Sequence, residues 1–156
     1  MALVTPILYP VAAFDATQAY TFRFSVSSGD QVTKNRLIIK NNDTLVEVYN
    51  QQITTFAFEH TVPANTLTNG VYYQATLITY NAAGEQSTAS SPIQFYCYSA
   101  PTLVLSNLPS GGIVENSSFA FEAVYNQAEG ELLNGYSFTL YDAQGVQIAS
   151  SGAQYV

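Results

Sequence analysis

The chain has 156 residues, enough for one large domain or for one and a half sandwich modules of roughly 100 residues each. Apolar residues make up 47% and charged residues only 10%, with twelve Tyr, nine Phe and no Trp, a balance that excludes general disorder and favours strands. A net charge of −7 makes nucleic acid and anionic membrane surfaces poor partners, because such a chain gains nothing from neutralising phosphates.

In chain order, MALVTPILYP has no basic n-region and its apolar run is broken by Pro6 and Pro10, so it does not read as a signal peptide. No apolar segment approaches the roughly 18 residues of a membrane span, and synthesis in a cytoplasm without export by the usual route is the expectation. YTFRFSV predicts a strand with Tyr20, Phe22, Phe24 and Val26 on one face, closed by SSGD at 27–30. RLIIK (36–40) and LVEVY (45–49) flank NNDT and predict a hairpin. TTFAFEHTV (54–62) predicts a strand with Phe56, Phe58, His60 and Val62 on one face, ended by Pro63.

The stretch LTNGVYYQATLITYNAAGE predicts a loop, a half-buried strand and a tight turn. Tyr73, Ala75, Leu77 and Thr79 alternate with Gln74, Thr76 and Ile78. Gly84 can supply the positive φ that the turn needs, and the Asn81 side chain can brace it. Pro92 opens a last strand, IQFYC. About seven strands within residues 1–97 is the spacing of a sandwich.

The pattern then restarts. TPILYP is echoed by APTLVLSNLP, YTFRFSV by SSFAFEAVY, and RLIIKNNDTLVEV by YSFTLYDAQGVQI, at an offset of roughly 95 to 101 residues. The second copy has no counterpart of residues 53–97. Two modules follow: 1–97, complete, and 98–156, the N-terminal portion of a second. Phe119, Phe121, Phe138 and Leu140 would then lack much of a facing layer, and strand edges would be left open. Either the natural polypeptide continues past Val156, which is the expectation, or a neighbouring chain donates the missing strands.

Charge is also lopsided. Arg23, Lys34, Arg36 and Lys40 all lie in the first forty residues, whereas Glu115, Glu122, Glu129, Glu131 and Asp142 follow Tyr98 with no Lys or Arg among them.

Leu67, Tyr73, Ala75 and Leu77, followed by Asn81, Ala82 and Gly84, resemble the end of a fibronectin type III module, and Gly135, Tyr136, Phe138 and Leu140 resemble its strand C. The resemblance implies immunoglobulin-like sandwiches in tandem. It also implies a tyrosine corner, in which the Tyr73 hydroxyl reaches back to a loop carbonyl. The family usually carries a Trp on strand B; here Phe22 or Phe24 must fill that volume. The leader MALVTPILYPVAAFDA, the tandem modules and the Asn/Gln/Tyr-rich composition resemble tail or baseplate structural proteins of tailed bacteriophages of Gram-positive hosts. This resemblance implies a virion protein assembled in the host cytoplasm, present in several copies or as a homo-oligomer, with other tail or baseplate proteins as partners.

Residues with chemistry are sparse. His60 shares parity with core residues and reads as a satisfied structural histidine. Cys97, alone and far from any base, reads as a small buried hydrophobe. Glu129 and Glu131 flank Gly130 in a predicted loop, and Asn42 with Asp43, or Asp142 with Gly145, are only fragments of a calcium loop. No phosphate loop, nucleophile elbow or dinucleotide fingerprint is present in the sequence. The expectation is a protein that is not an enzyme, with no cofactor and no metal. Tyr72, Tyr80, Tyr96 and Tyr98 fall opposite in parity to the core tyrosines. They read as a surface that covers a neighbouring element, or alternatively as sugar-stacking rings of a module that binds carbohydrate, including a host cell-wall glycan. A head fibre or decoration role is a further alternative.

Overall fold

The computed structural model describes residues 3–27, 29–109, 111 and 118–156, so Glu115 lies outside the described residues. The described chain is all-β and divides into two units, Met1–Ala100 and Pro101–Val156. Tyr98 stays with the first because its amide donates to the Phe14 carbonyl at 3.0 Å.

The first unit contains β1 (Ile7–Leu8), β2 (Tyr20–Ser25), β3 (Lys34–Asn41), β4 (Glu47–Thr54), β5 (Glu59–Val62), β6 (Val71–Tyr80) and β7 (Ile93–Cys97). They form a three-stranded sheet, β1-β2-β5, and a four-stranded sheet, β4-β3-β6-β7, with every neighbouring pair antiparallel. This is the order of a fibronectin type III-like sandwich. Because side chains alternate across a strand, one parity of each strand meets the other sheet. Phe22 and Phe24 of β2 and Val62 of β5 close against Leu37 and Ile39 of β3, Tyr73, Ala75 and Leu77 of β6, and Phe95 and Cys97 of β7. Each large side chain so enclosed contributes about 1.5–3 kcal/mol.

An aromatic cluster surrounds Phe22 in the core. Phe22 meets Phe95 edge-on at 5.3 Å and Tyr20 at 5.2 Å, while Phe14 stacks on Tyr20 at 4.0 Å and on Phe95 at 5.6 Å. Phe14 comes from the leader, where no periodicity marks it. Its amide donates to the Tyr96 carbonyl at 3.3 Å and its residue bridges Cys97 in parallel. The leader therefore occupies an edge of β7 that would otherwise be open to pairing.

The expected strand over 54–62 needs correction. Thr54 ends β4, residues 56–58 form a bend, and only Glu59–Val62 forms β5. Phe56 and Phe58 do not share the core face with His60 and Val62: they are 67% and 49% exposed, and Phe58 leans edge-on against Phe24. The chain has to cross from one sheet to the other here, and a crossing segment cannot keep a strand's parity.

β7 pairs only with the first half of β6, from Val71 to Ala75. Serines complete the second half. Ser90 donates its amide to the Leu77 carbonyl at 2.8 Å while its hydroxyl accepts from the Leu77 amide at 3.0 Å. Ser87 does the same for Thr79, at 2.9 and 3.0 Å. Both serines are buried, so backbone groups that would otherwise be stranded are satisfied without a regular ladder.

The second unit contains β8 (Thr102–Leu105), β9 (Ala123–Asn126), β10 (Gly135–Tyr136), β11 (Thr139–Tyr141), β12 (Gln147–Ser150) and β13 (Gln154–Tyr155). β8 pairs with β9, β10 with β13 and β11 with β12. The last four are one hairpin with an interruption at Phe138, whose amide donates to the Ser151 hydroxyl and whose carbonyl accepts the Ser151 amide, both at 2.9 Å. The hairpin register repeats that of the first unit: Ile39 faces Tyr49 as Leu140 faces Ala149, and a bulge follows in both. β8, β9, β10–β11 and β12–β13 thus correspond to β1, β2, β3 and β4.

Candidate functional site

Three of the four outward tyrosines are brought together. Tyr72 on β6 sits directly opposite Tyr96 on β7, with ring centroids 4.5 Å apart and planes 33° from parallel; Tyr98 follows at 6.3 Å and 14°. Tyr80 is not part of this row: it ends β6, opposite Lys34 and bridged to Gln86. Around the row lie amides, and Gln94 donates its side-chain amide to the Asn42 oxygen at 2.8 Å. Centroids at 4.5 Å mean that Tyr72 and Tyr96 cover much of each other's ring face, since coplanar neighbours would be farther apart. Tyr72 remains 56% exposed at the end of the row.

Tyr73 points the other way and is buried. Its hydroxyl accepts the Thr68 amide at 3.0 Å and donates, more loosely, to the Thr68 carbonyl at 3.4 Å. The amide contact is the shorter of the two, so the corner holds both backbone groups of one loop residue. Leu67 beside it is buried in the core. At the far end of β6, Asn81 is buried and braces its turn from both sides. Its side-chain oxygen accepts the Glu85 amide at 2.9 Å, and its side-chain amide donates to the Glu85 carboxylate at 2.7 Å and to Asp30 at 3.2 Å. Gly84 supplies φ +83° in that turn, where a β-carbon would meet no neighbour, so the demand on it is purely conformational.

His60 is fully buried. Its Nδ1 lies 2.6 Å from the Asn35 side-chain oxygen and its Nε2 lies 2.9 Å from the Tyr49 hydroxyl, while Asn35 donates its amide to the Glu59 carbonyl at 3.1 Å. An Asn oxygen only accepts, so Nδ1 carries the proton and Nε2 accepts from tyrosine: a neutral imidazole with both nitrogens satisfied. Burial lowers the His60 pKa to about 4. The network ties β5 of one sheet to β3 and β4 of the other. It is a structural bridge across the sandwich.

Burial pushes the Cys97 thiol up to about 12, with the Asp15 charge adding to the shift, so its thiolate is suppressed. Asp15 itself is held at about 2, first by the Asn69 side-chain amide and then by Thr17. Asn69 returns the contact by accepting the Ala16 amide at 2.8 Å, which staples the leader to the loop before β6. Of the carboxylates weighed as calcium or acid–base candidates, Asp142 braces its turn by accepting the Gln144 and Val146 amides, and Glu129 accepts the Gln127 side-chain amide, while the Glu131 backbone amide donates to the Gln127 side-chain oxygen. Among the described residues, no group of three or more His, Cys, Asp or Glu side chains could hold a metal, and no helix is long and apolar enough to cross a membrane.

The second unit carries the other candidate surface. Leu105, Leu108, Phe121, Phe138 and Leu140 line an open cleft of about 430 Å³. A second hollow of about 220 Å³ continues past Phe121 and Phe138 to Tyr125 and Leu133. None of the described residues of 101–156 is buried. Sequence alternation pointed to Phe121, Phe138 and Leu140 as inward-facing; Leu105 and Leu108 enter the cleft without having been singled out.

No family model matches the sequence, and no curated protein does. Among solved structures, a myokine structure matches at TM-score 0.50 and 15% identity, over 61% of this chain and 97% of its own. Titin module A71 from human cardiac muscle matches at TM-score 0.48 and 20% identity, over 60% and 89%. The chicken CNTN1 FN1-FN3 domains match at TM-score 0.48 and 13% identity, over 96% of this chain and 51% of that one. The strand order of the first unit defines the fold class, an immunoglobulin-like, fibronectin type III-like β-sandwich.

Proposed function

We propose that this chain is a non-enzymatic structural protein of a tailed-bacteriophage particle, a tail or baseplate component whose sandwiches act as spacer and docking modules. One observation carries the docking role: a sealed first sandwich is followed by a unit whose apolar layer lies open, an arrangement suited to permanent contact with another element. The particle setting rests on the resemblance of the leader and composition, and the position within the tail on that resemblance alone. In the first unit, polar groups positioned for chemistry, such as His60 and Asp15, are absorbed in structural hydrogen bonds.

A second reading, a carbohydrate-binding or host-surface adhesion module, is favoured by the tyrosine row with Asn42 and Gln94 beside it. It ranks lower because the Tyr72 and Tyr96 rings, 4.5 Å apart and tilted by 33°, cover part of each other.

Gradient-purified particles analysed by mass spectrometry decide between them. The chain should sediment with particles at a fixed copy number in the tail fraction. A free pool retained on a cell-wall glycan column, with none on particles, would reverse the ranking. Label on the capsid alone would move the role to head decoration.

A further inference from the structure

We propose that the outer edge of β4 pairs with itself: two copies of the chain join β4 to β4, antiparallel about a two-fold axis at Gln51, so that their four-stranded sheets become one continuous sheet.

The first unit guards its other sheet edges. β1 has two residues and β5 four, too short to template a further strand, and the leader lies along β7 through the Phe14–Cys97 bridge. β4 is different. It runs for eight residues, Glu47–Thr54, pairs only with β3 among the described residues, and holds one charge, no Lys and no Pro. Its free groups follow from the ladder. The Thr55 amide donates to the Thr33 carbonyl at 3.0 Å, so Thr55, Ile53, Gln51 and Tyr49 turn their backbone groups toward β3. Asn50 and Gln52 therefore turn theirs to the open edge. This edge belongs to the first unit and owes nothing to the open layer of the second.

The sequence of the edge selects a second copy. Residues that face each other across a joint must lie on the same face of the sheet, so the two-fold passes through a residue and not between two. Centred on Gln51, it sets Tyr49 opposite Ile53, an aromatic and β-branched pair, Asn50 opposite Gln52, and Gln51 opposite itself. The single charge, Glu47, falls near Thr55 and away from its own copy. Centred on Asn50, it would set Glu47 opposite Ile53 and Tyr49 opposite Gln51, leaving both apolar side chains unmatched. The ends of the strand agree with the first choice. Val46 and Val48 are exposed at its start, and Phe56 is exposed just past its end. An antiparallel copy brings the start of one strand to the end of the other, so each copy covers apolar residues that the other leaves in water. An unrelated strand has no reason to carry apolar groups at both places. Charge opposes the approach only weakly, since residues 1–97 carry six acids and all four bases.

Sedimentation of the full chain over a range of concentrations should give monomer and dimer and nothing larger, because the leader closes the opposite edge of the sheet. Hydrogen exchange should slow the Asn50 and Gln52 amides in the dimer and leave those of Gln51 and Ile53, already bonded to β3, unchanged. Gln52→Pro removes a donor from the edge without touching the β3 ladder and should weaken dimerisation by about tenfold or more. Gln52→Ala keeps the amide and should change it by less than about threefold. Phe56→Ser, at an exposed position outside the strand, gives a reading independent of the backbone and should also weaken dimerisation by about tenfold. Melting curves at a dilution where the wild-type chain is monomeric check that each variant folds. A chain that stays monomeric at about 100 µM overturns the proposal. So does a dimer indifferent to Gln52→Pro and Phe56→Ser, or one whose Asn50 and Gln52 amides exchange as in the monomer. Slow exchange of those two amides in the monomer overturns it as well, since another part of the same chain would then be the occupant, and so does open-ended assembly. The inference stands on the first unit and not on the particle setting, so the two tests fail independently.

Discussion

Both units lay down the same first four strands, with the register of the β3–β4 hairpin repeated in β11–β12, yet one encloses its hydrophobic residues and the other does not. In the first, Phe22 and Phe24 look across at β6 and β7, and their exposure falls to 0% and 2%. In the second, Phe121 and Phe138 stack on each other at 6.1 Å and still line an open cleft. Alternation decides which side chains face inward; burial depends on whether a second layer is there to meet them. The comparison can be broken most sharply by truncating one ring in each unit. Phe22→Ala should cost about 3–5 kcal/mol by leaving a cavity within a closed cluster. Phe121→Ala should cost less than about 1 kcal/mol, because little enclosed contact is lost. Denaturant unfolding followed by tyrosine fluorescence, with hydrogen exchange assigning each loss to its unit, measures both. Equal losses would mean that the second unit is as closed as the first.

Acid should separate the units next. The single histidine lies in the first, with a folded pKa of about 4 against an ordinary value of 6.5. The unfolded chain therefore binds a proton more readily than the folded one between those values, so stability falls as pH drops from 6.5 to 4 and then levels. Protonation would force Nε2 to become a donor toward Tyr49, turning its hydroxyl outward. Asp15 contributes in the same direction but lower, its stabilisation lost as pH falls from 3.8 toward about 2. Melting curves from pH 7 to pH 4 should show the first unit losing stability by a term that vanishes in His60→Gln, while the second, which has no histidine, lacks that term.

Tyr73→Phe should be smaller again. It removes the acceptor of the Thr68 amide and costs about 1 kcal/mol, rising toward 3 if that N–H finds no water. Tyr125 is the nearest analogue in the second unit. Its hydroxyl donates to the exposed Glu131 carbonyl at 3.0 Å, and Tyr125→Phe should cost a few tenths, because water can replace it. An unchanged melting temperature for Tyr73→Phe would show that the corner is not holding its loop.

Much of this fold was legible because period-two alternation survives wherever a strand has one wet and one dry face, as in β2, β3 and β6. Phe14 was not legible, since an edge-covering residue in a loop has no period to announce it. Nor were Ser87 and Ser90, whose hydroxyls substitute for a ladder in a segment that reads as ordinary turn composition. Phe56 and Phe58 misled for the opposite reason: they alternate, but in a crossing segment where alternation no longer maps onto a face. The His60 bridge joins residues 11 and 25 positions away, a distance at which only the closed sandwich brings the partners together. Of the outward tyrosines, parity found all four, but strand length set Tyr80 apart from the other three.

The finest comparison concerns one turn residue. The hairpin from β3 to β4 turns at Leu45 with φ 59°, and the matching hairpin from β11 to β12 turns at Gly145 with φ 81°. The first turn is one residue longer, its Asn41 amide donating to the Val46 carbonyl where the Asp142 amide donates to that of Val146. In each, the first side chain braces the turn: Asn41 accepts the Asp43 and Thr44 amides, and Asp142 those of Gln144 and Val146. A left-handed conformation costs an L-residue about 1–2 kcal/mol through its β-carbon. Glycine avoids that cost but adds about 0.5–1 kcal/mol of unfolded-state entropy. Leu45 is 60% exposed, so its side chain recovers little by packing. Leu45→Gly should therefore stabilise the first unit by about 0.5–1 kcal/mol. Gly145→Leu should destabilise the second by a similar amount, since a β-carbon there meets no neighbour and only the backbone is strained. Paired melting curves read both changes. A loss for Leu45→Gly would mean that the leucine contributes a contact in solution that outweighs its backbone strain.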